Sequence, residues 1–268
     1  QHELRPSGGF AGSFAVLDLL NGAVERLEIP GGGSYDLKGQ LRAKVRAPEA
    51  LGLVNSRWEF QDANWFADFP ASARKIAWFY EKADGPSVDG VIAVNATLVS
   101  KILELTGPLE IPKIHAFVNA ETFQRTAERL AEYDYDRAVN KPKAFIGALA
   151  PELLKSIAQF EGNQILSLAD LITAALDSKD LQISVFSEEM SARLARQGWN
   201  GGLIKTDGDY LNIVNANIGG GKTDGVIEEK ITSVTTIEND GSVLRAVTLT
   251  REHQGNPRDS LTKTNNVT

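Results

Sequence analysis

The sequence predicts a mixed α/β protein, and three observations carry that expectation. Segments with apolar residues at helical spacing alternate with short apolar or alternating runs along the 268 residues. Hydrophobic residues make up 42 % of the chain, ample core for one large domain or two small ones. From Tyr210 onward the chain is rich in Ile, Val and Thr and reads as strands folded about a tight turn. Composition also excludes several classes. The net charge of -7 argues against a nucleic-acid partner, because such surfaces are basic and clustered. With no cysteine there is no disulfide, thiolate nucleophile or thiolate metal site, a usage that fits an exported protein. No run of about 18 apolar residues is present to span a membrane. The opening within an apparent element and the polar stretch SLTKTNNVT suggest a piece of a longer protein, with any membrane anchor in segments outside this one.

Residues 1–29 carry the densest chemistry. Glu3 and Arg5 run into Gly8-Gly9-Phe10-Ala11-Gly12-Ser13. Phe14 to Leu20 is expected as a strand, Asn21-Gly22 as a two-residue turn tolerant of positive φ, and Ala23 to Ile29 as the returning strand. The expectation is a buried hairpin with a glycine-rich, arginine-bearing mouth. Glycines let backbone N–H groups approach a ligand, and arginine offers a planar fork for phosphate or carboxylate. The plainer reading is an ordinary strand beginning beside a surface arginine.

Residues 30–40 read as a glycine-rich connector, and Pro48 and Gly52 interrupt any long helix over 41–56. Asp62, Asn64 and Asp68 then sit among Trp65, Phe66 and Phe69. They precede a helix that starts at Pro70, with Ala73, Ile76, Ala77 and Tyr80 at helical spacing. Val88 to Val94 reads as a buried strand. Leu98 to Thr106 reads as a helix capped by Asn95 or Thr97 and ended by Gly107-Pro108. Leu109 to Ile111 is a short strand, and a helix opens at Asn119 to Thr122. Lys143 to Phe160 reads as an amphipathic helix whose apolar face is Phe145, Leu149, Leu153, Leu154 and Ile157. A helix over Leu166 to Leu176, an alternating strand over Leu181 to Phe186 and a helix from Ser187 to Gly198 follow. Tyr210 to Asn215 and Gly225 to Glu238 are expected to pair. Asn239-Asp240-Gly241-Ser242 then turns the chain into Val243 to Arg251.

Two carboxylates near aromatic rings, Asp62 and Asp68, suit acid/base chemistry on a sugar, where burial keeps one of them protonated. Together with Asn64 they could instead hold a divalent cation through oxygen, or simply cap and turn the chain. Gly219-Gly220-Gly221-Lys222-Thr223 looks like the end of a phosphate-binding P-loop. Ala216 stands where that pattern requires glycine, however, and the residues after it read as strand, not helix, so a loop between two strands is expected. His2, His115 and His253 match no zinc-ligand spacing. No Gly-x-Ser-x-Gly elbow is present, and Ser13 has no histidine at a recognisable spacing.

The runs ELRPSGGFAGSF, GGGSYDLKGQL, DANWFADFPASARKIAWFYEK, VDGVIAVNATLVSKILELTGPLEIP, NAETF and NIGGGKTDG resemble a bacterial domain family catalogued as uncharacterised, over nearly the whole chain. More distantly, the order of elements resembles the LytR–CpsA–Psr proteins. The resemblance implies one catalytic domain over 1–268. It implies an α/β/α sandwich around a mixed β-sheet, with a hairpin-rich C-terminal part. It also implies an extracytoplasmic, membrane-anchored enzyme of the cell envelope. Such enzymes move a glycopolymer from a polyprenyl-pyrophosphate carrier onto cell-wall glycan, using arginines and acidic residues, often with Mg²⁺. Glu3 and Arg5 resemble the acidic/Arg pair at the mouth of their first long strand. Lys143 stands at the start of a helix that in those enzymes is rich in Arg and Gln. The sequence departs from them in two places: Asn140-Lys141-Pro142-Lys143 has no Arg–Gln pair, and Gly8-Gly9-Phe10 replaces an Arg-Ser-Asp-type start.

Three functions follow as expectations. In the first, Arg5, helped by Lys143 and the backbone amides around Gly8, Gly9 and Ser13, holds a diphosphate. Asp62 or Asp68 deprotonates the acceptor hydroxyl or holds Mg²⁺, and Asn64 binds substrate; no residue is assigned as a dedicated metal ligand. In the second, Glu3 with Asp62 or Asp68 forms a carboxylate pair acting on a glycosidic bond of cell-wall polysaccharide. In the third, the chain is a non-catalytic wall-glycan-binding domain in which Trp65, Phe66 and Trp78 stack on sugars or fill core.

Overall fold

The structure, a computed structural model, describes residues 3–135, 137–219, 221–259 and 262. Helices and short antiparallel ladders alternate along the chain, and the class is mixed α/β. Gly220 and most of the tail after Asp259 lie outside the described residues. Among the described residues every ladder joins two strands, and all are antiparallel.

β1 (Leu4–Arg5) and β2 (Gly8–Gly9) form the first, with Arg5 opposite Gly8. β3 (Val16–Leu20) and β4 (Ala23–Glu28) form the expected hairpin. Asn21 and Gly22 take φ of 51° and 82° at its turn, as the right-handed twist of a hairpin favours. The hairpin is not buried, contrary to expectation: Leu17, Leu19, Leu20 and Val24 are all exposed. Arg26 bonds Glu28 and stands 3.8 Å from Asp18, and this row of charges keeps the ribbon in water.

α1 (Glu49–Gly52) is a single turn before α2 (Phe69–Lys82). Leu41, Leu51, Trp58, Phe60 and Phe79 bury one core between them. β5 (Gly90–Val94) pairs with β8 (Leu181–Val185). Gly90 permits that pairing, because a Cβ there would lie 2.5 Å from the Ser184 carbonyl oxygen. β5 is shorter and wetter than the expected buried strand, with Ile92 and Val94 each 53 % exposed; β8 is its one partner among the described residues, so its other edge has no ladder.

α3 (Ala96–Thr106) is capped by Asn95, whose Oδ1 accepts from Leu98 N at 3.1 Å. β6 (Leu109–Ile111) and β7 (Ala116–Val118) pair ahead of α4 (Phe123–Glu132) and α5 (Ala144–Ile157). Leu103, Ile111, Val118, Phe123, Phe145 and Leu149 make a second core. Leu154, expected on the apolar face of α5, is exposed, because α5 packs on α3, α4 and β6 through its Phe145 and Leu149 side. α6 (Asn163–Asp177) closes a third core: Leu98, Ile102, Ala175, Leu176 and Leu181. Leu181 and Ile183 of β8 point into that core, while alternation puts Gln182 and Phe186 on the other side, beside α2.

α7 (Glu188–Arg196) follows. Tyr210 to Asn215, expected as a strand, forms none. β9 (Ile227–Ile237) pairs along its whole length with β10 (Val243–His253) instead. The Asn239–Ser242 turn brings those two together at once, and a local partner is cheaper in chain entropy than a distant one. No described helix is long and apolar enough to cross a membrane.

Candidate functional site

The glycine-rich mouth closes around Arg5. Its side chain is 6 % exposed. Nη1 donates to the Leu4 and Asn217 carbonyl oxygens, and Nη2 donates to Glu3 Oε1 at 3.2 Å and lies 3.8 Å from Asp62 Oδ1. The Phe10 ring lies 4.9 Å from the guanidinium carbon. Among the described residues the Nε of Arg5 has no hydrogen-bond partner. A buried guanidinium so enclosed joins three stretches of chain distant in sequence: the N-terminal ladder, the turn at Asp62 and the loop at Asn217.

Lys222 completes the group. Its ammonium bonds Glu3 Oε2 at 2.8 Å and Glu132 Oε1 at 3.4 Å, and stands 6.0 Å from the Phe10 ring centre. Glu3 therefore bridges Arg5 and Lys222. Burial works against the Lys222 charge, but Glu3 and Glu132 outweigh it and its pKa ends above the ordinary lysine value. Lys143 lies nearby on the same mouth. Its stem passes the backbone of Gly12 and Gly33: a Cβ on Gly33, where φ is 66°, would lie 2.8 Å from Lys143 Cγ and 2.2 Å from the Gly12 carbonyl oxygen. Lys143 N donates to Gly31 O at 2.8 Å, but among the described residues its ammonium has neither ion pair nor hydrogen bond. Burial first, then the Lys222 cation, pulls Lys143 below the ordinary lysine pKa, against the pull of Glu132, Glu3 and Glu128.

Behind the mouth lies a latch. Asp224 Oδ2 accepts from Leu4 N at 2.9 Å and from Asn217 Nδ2 at 2.8 Å, and Asp224 Oδ1 is 3.6 Å from Arg251 of β10. Asn217 N donates to Leu4 O at 3.0 Å in return. Asp62 sits at the end of a short 3-10 turn, Phe60–Asp62, and accepts from Asn55 Nδ2 at 3.1 Å. Burial pushes its carboxyl above the usual aspartate value, and Asn55, Arg5 and Gln61 offset only part of that.

Glu3, Arg5 and Asp62 thus meet, and Lys143 lies near them across Gly12. Asn64 is placed beside them through the glycine strand: its Nδ2 donates to Gly9 O at 2.8 Å, and Ser7 Oγ donates to its Oδ1. Gly8 and Gly9 are held in β2 opposite Arg5 and Leu4. Ser13 is exposed on the run leading out of the mouth. Asp68 follows its plain alternative. It caps α2, with Oδ2 accepting from Ala71 N at 3.1 Å and Oδ1 from Leu203 N at 3.0 Å, so its oxygens hold backbone.

Sequence reasoning missed Lys222, Asn217, Asp224 and the ring of Phe10. The signal was the run NIGGGKTDG. Rejecting it as a P-loop agrees with the structure, which continues into a 3-10 turn and β9, but the same loop carries the site's second cation. Among the described residues no three of His, Cys, Asp and Glu are grouped to hold a metal. Glu3 and Asp62 both turn onto Arg5, so this donor set does not fit Mg²⁺.

Residues 1–131 match the family model described as a protein of unknown function, DUF4012. No curated protein and no solved structure matches the chain. The matched stretch holds Glu3, Arg5, Asp62 and Asn64; Lys143 and Lys222 lie beyond it.

Proposed function

We propose that the chain is the catalytic domain of an extracytoplasmic cell-envelope enzyme. It would transfer a glycopolymer from a polyprenyl-pyrophosphate carrier to a cell-wall acceptor. The observation that carries this reading is the pair Lys143 and Lys222 on a glycine-lined mouth. Lys143 is a half-buried ammonium with no carboxylate bonded to it among the described residues, beside a second cation, and a partly desolvated positive charge of that kind favours an anion. A diphosphate supplies it. Lys143 would neutralise the phosphate that leaves, joined by Lys222 as the phosphate competes with Glu3 and Glu132 for its ammonium, while Asp62, with its raised pKa, would take the proton of the attacking acceptor hydroxyl. Arg5 has a supporting part: its two terminal nitrogens are already engaged, so it orients Glu3 and Asp62 more than it grips phosphate. Helices against both sides of the β5–β8 ladder support the α/β/α arrangement that belongs to this proposal.

A second reading has an observation of its own. Glu3 and Asp62 converge on one guanidinium, which suits a carboxylate pair hydrolysing or transferring a glycosidic bond. Calorimetry separates the two. On the transferase reading a short-chain polyprenyl-pyrophosphate glycolipid binds, and Lys222→Ala weakens it about tenfold or more. If the glycolipid does not bind while cell-wall polysaccharide is cleaved in an Asp62-dependent way, the hydrolase reading replaces it.

A further inference from the structure

We infer that the open groove between α2 and the β8–α7 junction is a subsite for a neutral sugar chain leading away from the Arg5–Lys222 mouth. The inference rests on the glycan reading above and names where the acceptor strand lies. The groove encloses about 420 Å³, with Arg74, Trp78 and Glu81 of α2 on one side and Phe186, Glu188 and Ser191 on the other.

Its chemistry suits a saccharide. Phe186, 38 % exposed, offers ring surface, and Trp78 lines the same groove with the Lys75 ammonium 4.7 Å from its ring centre; the C–H face of a sugar packs on such rings. Among the described residues Arg74, Glu81 and Glu188 form no ion pair or side-chain hydrogen bond, although they line one groove. Their donors and acceptors are left for hydroxyls. One cation against two carboxylates disfavours an anionic chain. A peptide that binds here in place of the saccharide is an outcome that calorimetry distinguishes, since Val185 at the end of β8 also lines the groove.

Position ties the groove to the mouth. Ser72 of α2 and Gln182 of β8 both bond Ser7, at 3.3 and 3.0 Å, just behind Arg5 and Asn64. Trp78 is six residues along α2 from Ser72, about 9 Å at the helical rise. Phe186 is four residues beyond Gln182, about 13 Å at the strand rise. The same two elements that buttress the mouth therefore run on to line the groove, and a chain lying in it points back to the reacting centre.

The test is calorimetry on the full chain with two probes, a neutral β-linked amino-sugar oligosaccharide and inorganic pyrophosphate. The oligosaccharide is expected to bind, to weaken about tenfold in Phe186→Ala and in Trp78→Ala, and to be unaffected by Lys222→Ala. Pyrophosphate is expected to show the opposite dependence. Phe186→Ala replaces a partly exposed ring and serves where Trp78→Ala disturbs packing; thermal unfolding checks both. Oligosaccharide binding that ignores both groove variants, or no binding to the unaltered chain, overturns the inference. So does a peptide, or a second copy seen by sedimentation, that needs Trp78 and Phe186 in its place. Loss of the pyrophosphate arm alone removes the diphosphate reading and leaves the groove supported.

Discussion

Replacing Asp224 by alanine should unlock the mouth from behind. The Asp224 side chain is fully shielded from solvent and accepts two hydrogen bonds, from Leu4 N at 2.9 Å and Asn217 Nδ2 at 2.8 Å. Each bond to a charged acceptor contributes about 1.5–3 kcal/mol. Asn217 retains a second bond, to Gly221 O at 2.7 Å, and Arg251 retains Glu229 at 3.2 Å, so neither is wholly orphaned. Leu4 N loses the one side-chain acceptor it has among the described residues. Losing these two bonds, Asp224→Ala should therefore cost about 3–5 kcal/mol. In a chain of this length that lowers Tm by roughly 10 °C. Urea unfolding followed by circular dichroism gives the free energy, and Asp224→Asn, able to keep one of the two bonds, should fall about midway. A loss below about 1 kcal/mol for the alanine variant would show that the latch contributes little, and the argument from buried polar partners would fail.

Asp62→Asn should change how stability depends on pH. Burial raises the Asp62 carboxyl above its ordinary 3.8, so the folded state holds that proton more tightly than the unfolded chain. This contribution favours folding most at low pH and falls away as pH rises from 3.8 through the folded value. The decline in urea midpoint across that window should shrink in Asp62→Asn, and an unchanged slope would contradict the assignment. Gly33→Ala should cost about 1–3 kcal/mol, since φ of 66° and the contacts with Gly12 O and Lys143 leave no room for a Cβ, and it should weaken pyrophosphate binding by moving Lys143. Phe79→Ala, at a ring 1 % exposed, should cost about 3–5 kcal/mol, while Leu20→Ser at the tip of the β3–β4 hairpin should stay within about 0.5 kcal/mol; equal effects would mean the hairpin is covered in solution.

Much of the fold is legible where local chemistry decides it. Asn21-Gly22 specifies its turn, Asn95 its cap, and Pro70 with Asp68 the start of α2, because each acts on backbone within a few residues. Burial is less legible. The apolar runs of Leu17 to Leu20 and Ile92 to Val94 read as core, yet what lies over a strand is set by distant segments that periodicity does not encode. The site divides the same way. Glu3, Arg5, Asp62 and Lys143 stand out as charges among glycines and aromatics. Asn217 and Asp224 do not, because their roles come from meeting Leu4 across the whole chain. Lys222 was visible only inside a motif whose meaning is fixed by the helix that should follow it and does not.

The bond between Leu4 and Asp224 spans 220 positions. During synthesis at about 5–20 residues per second, the segment carrying Arg5 waits roughly 10–45 s before its anchor is made. The Arg5 segment is thus made well before the residue that secures it. A nascent chain would hold finished helices and hairpins while its charged mouth is still unassembled. The mouth gains its proposed chemistry late, once β1 has been clasped by the loop ahead of the β9–β10 hairpin.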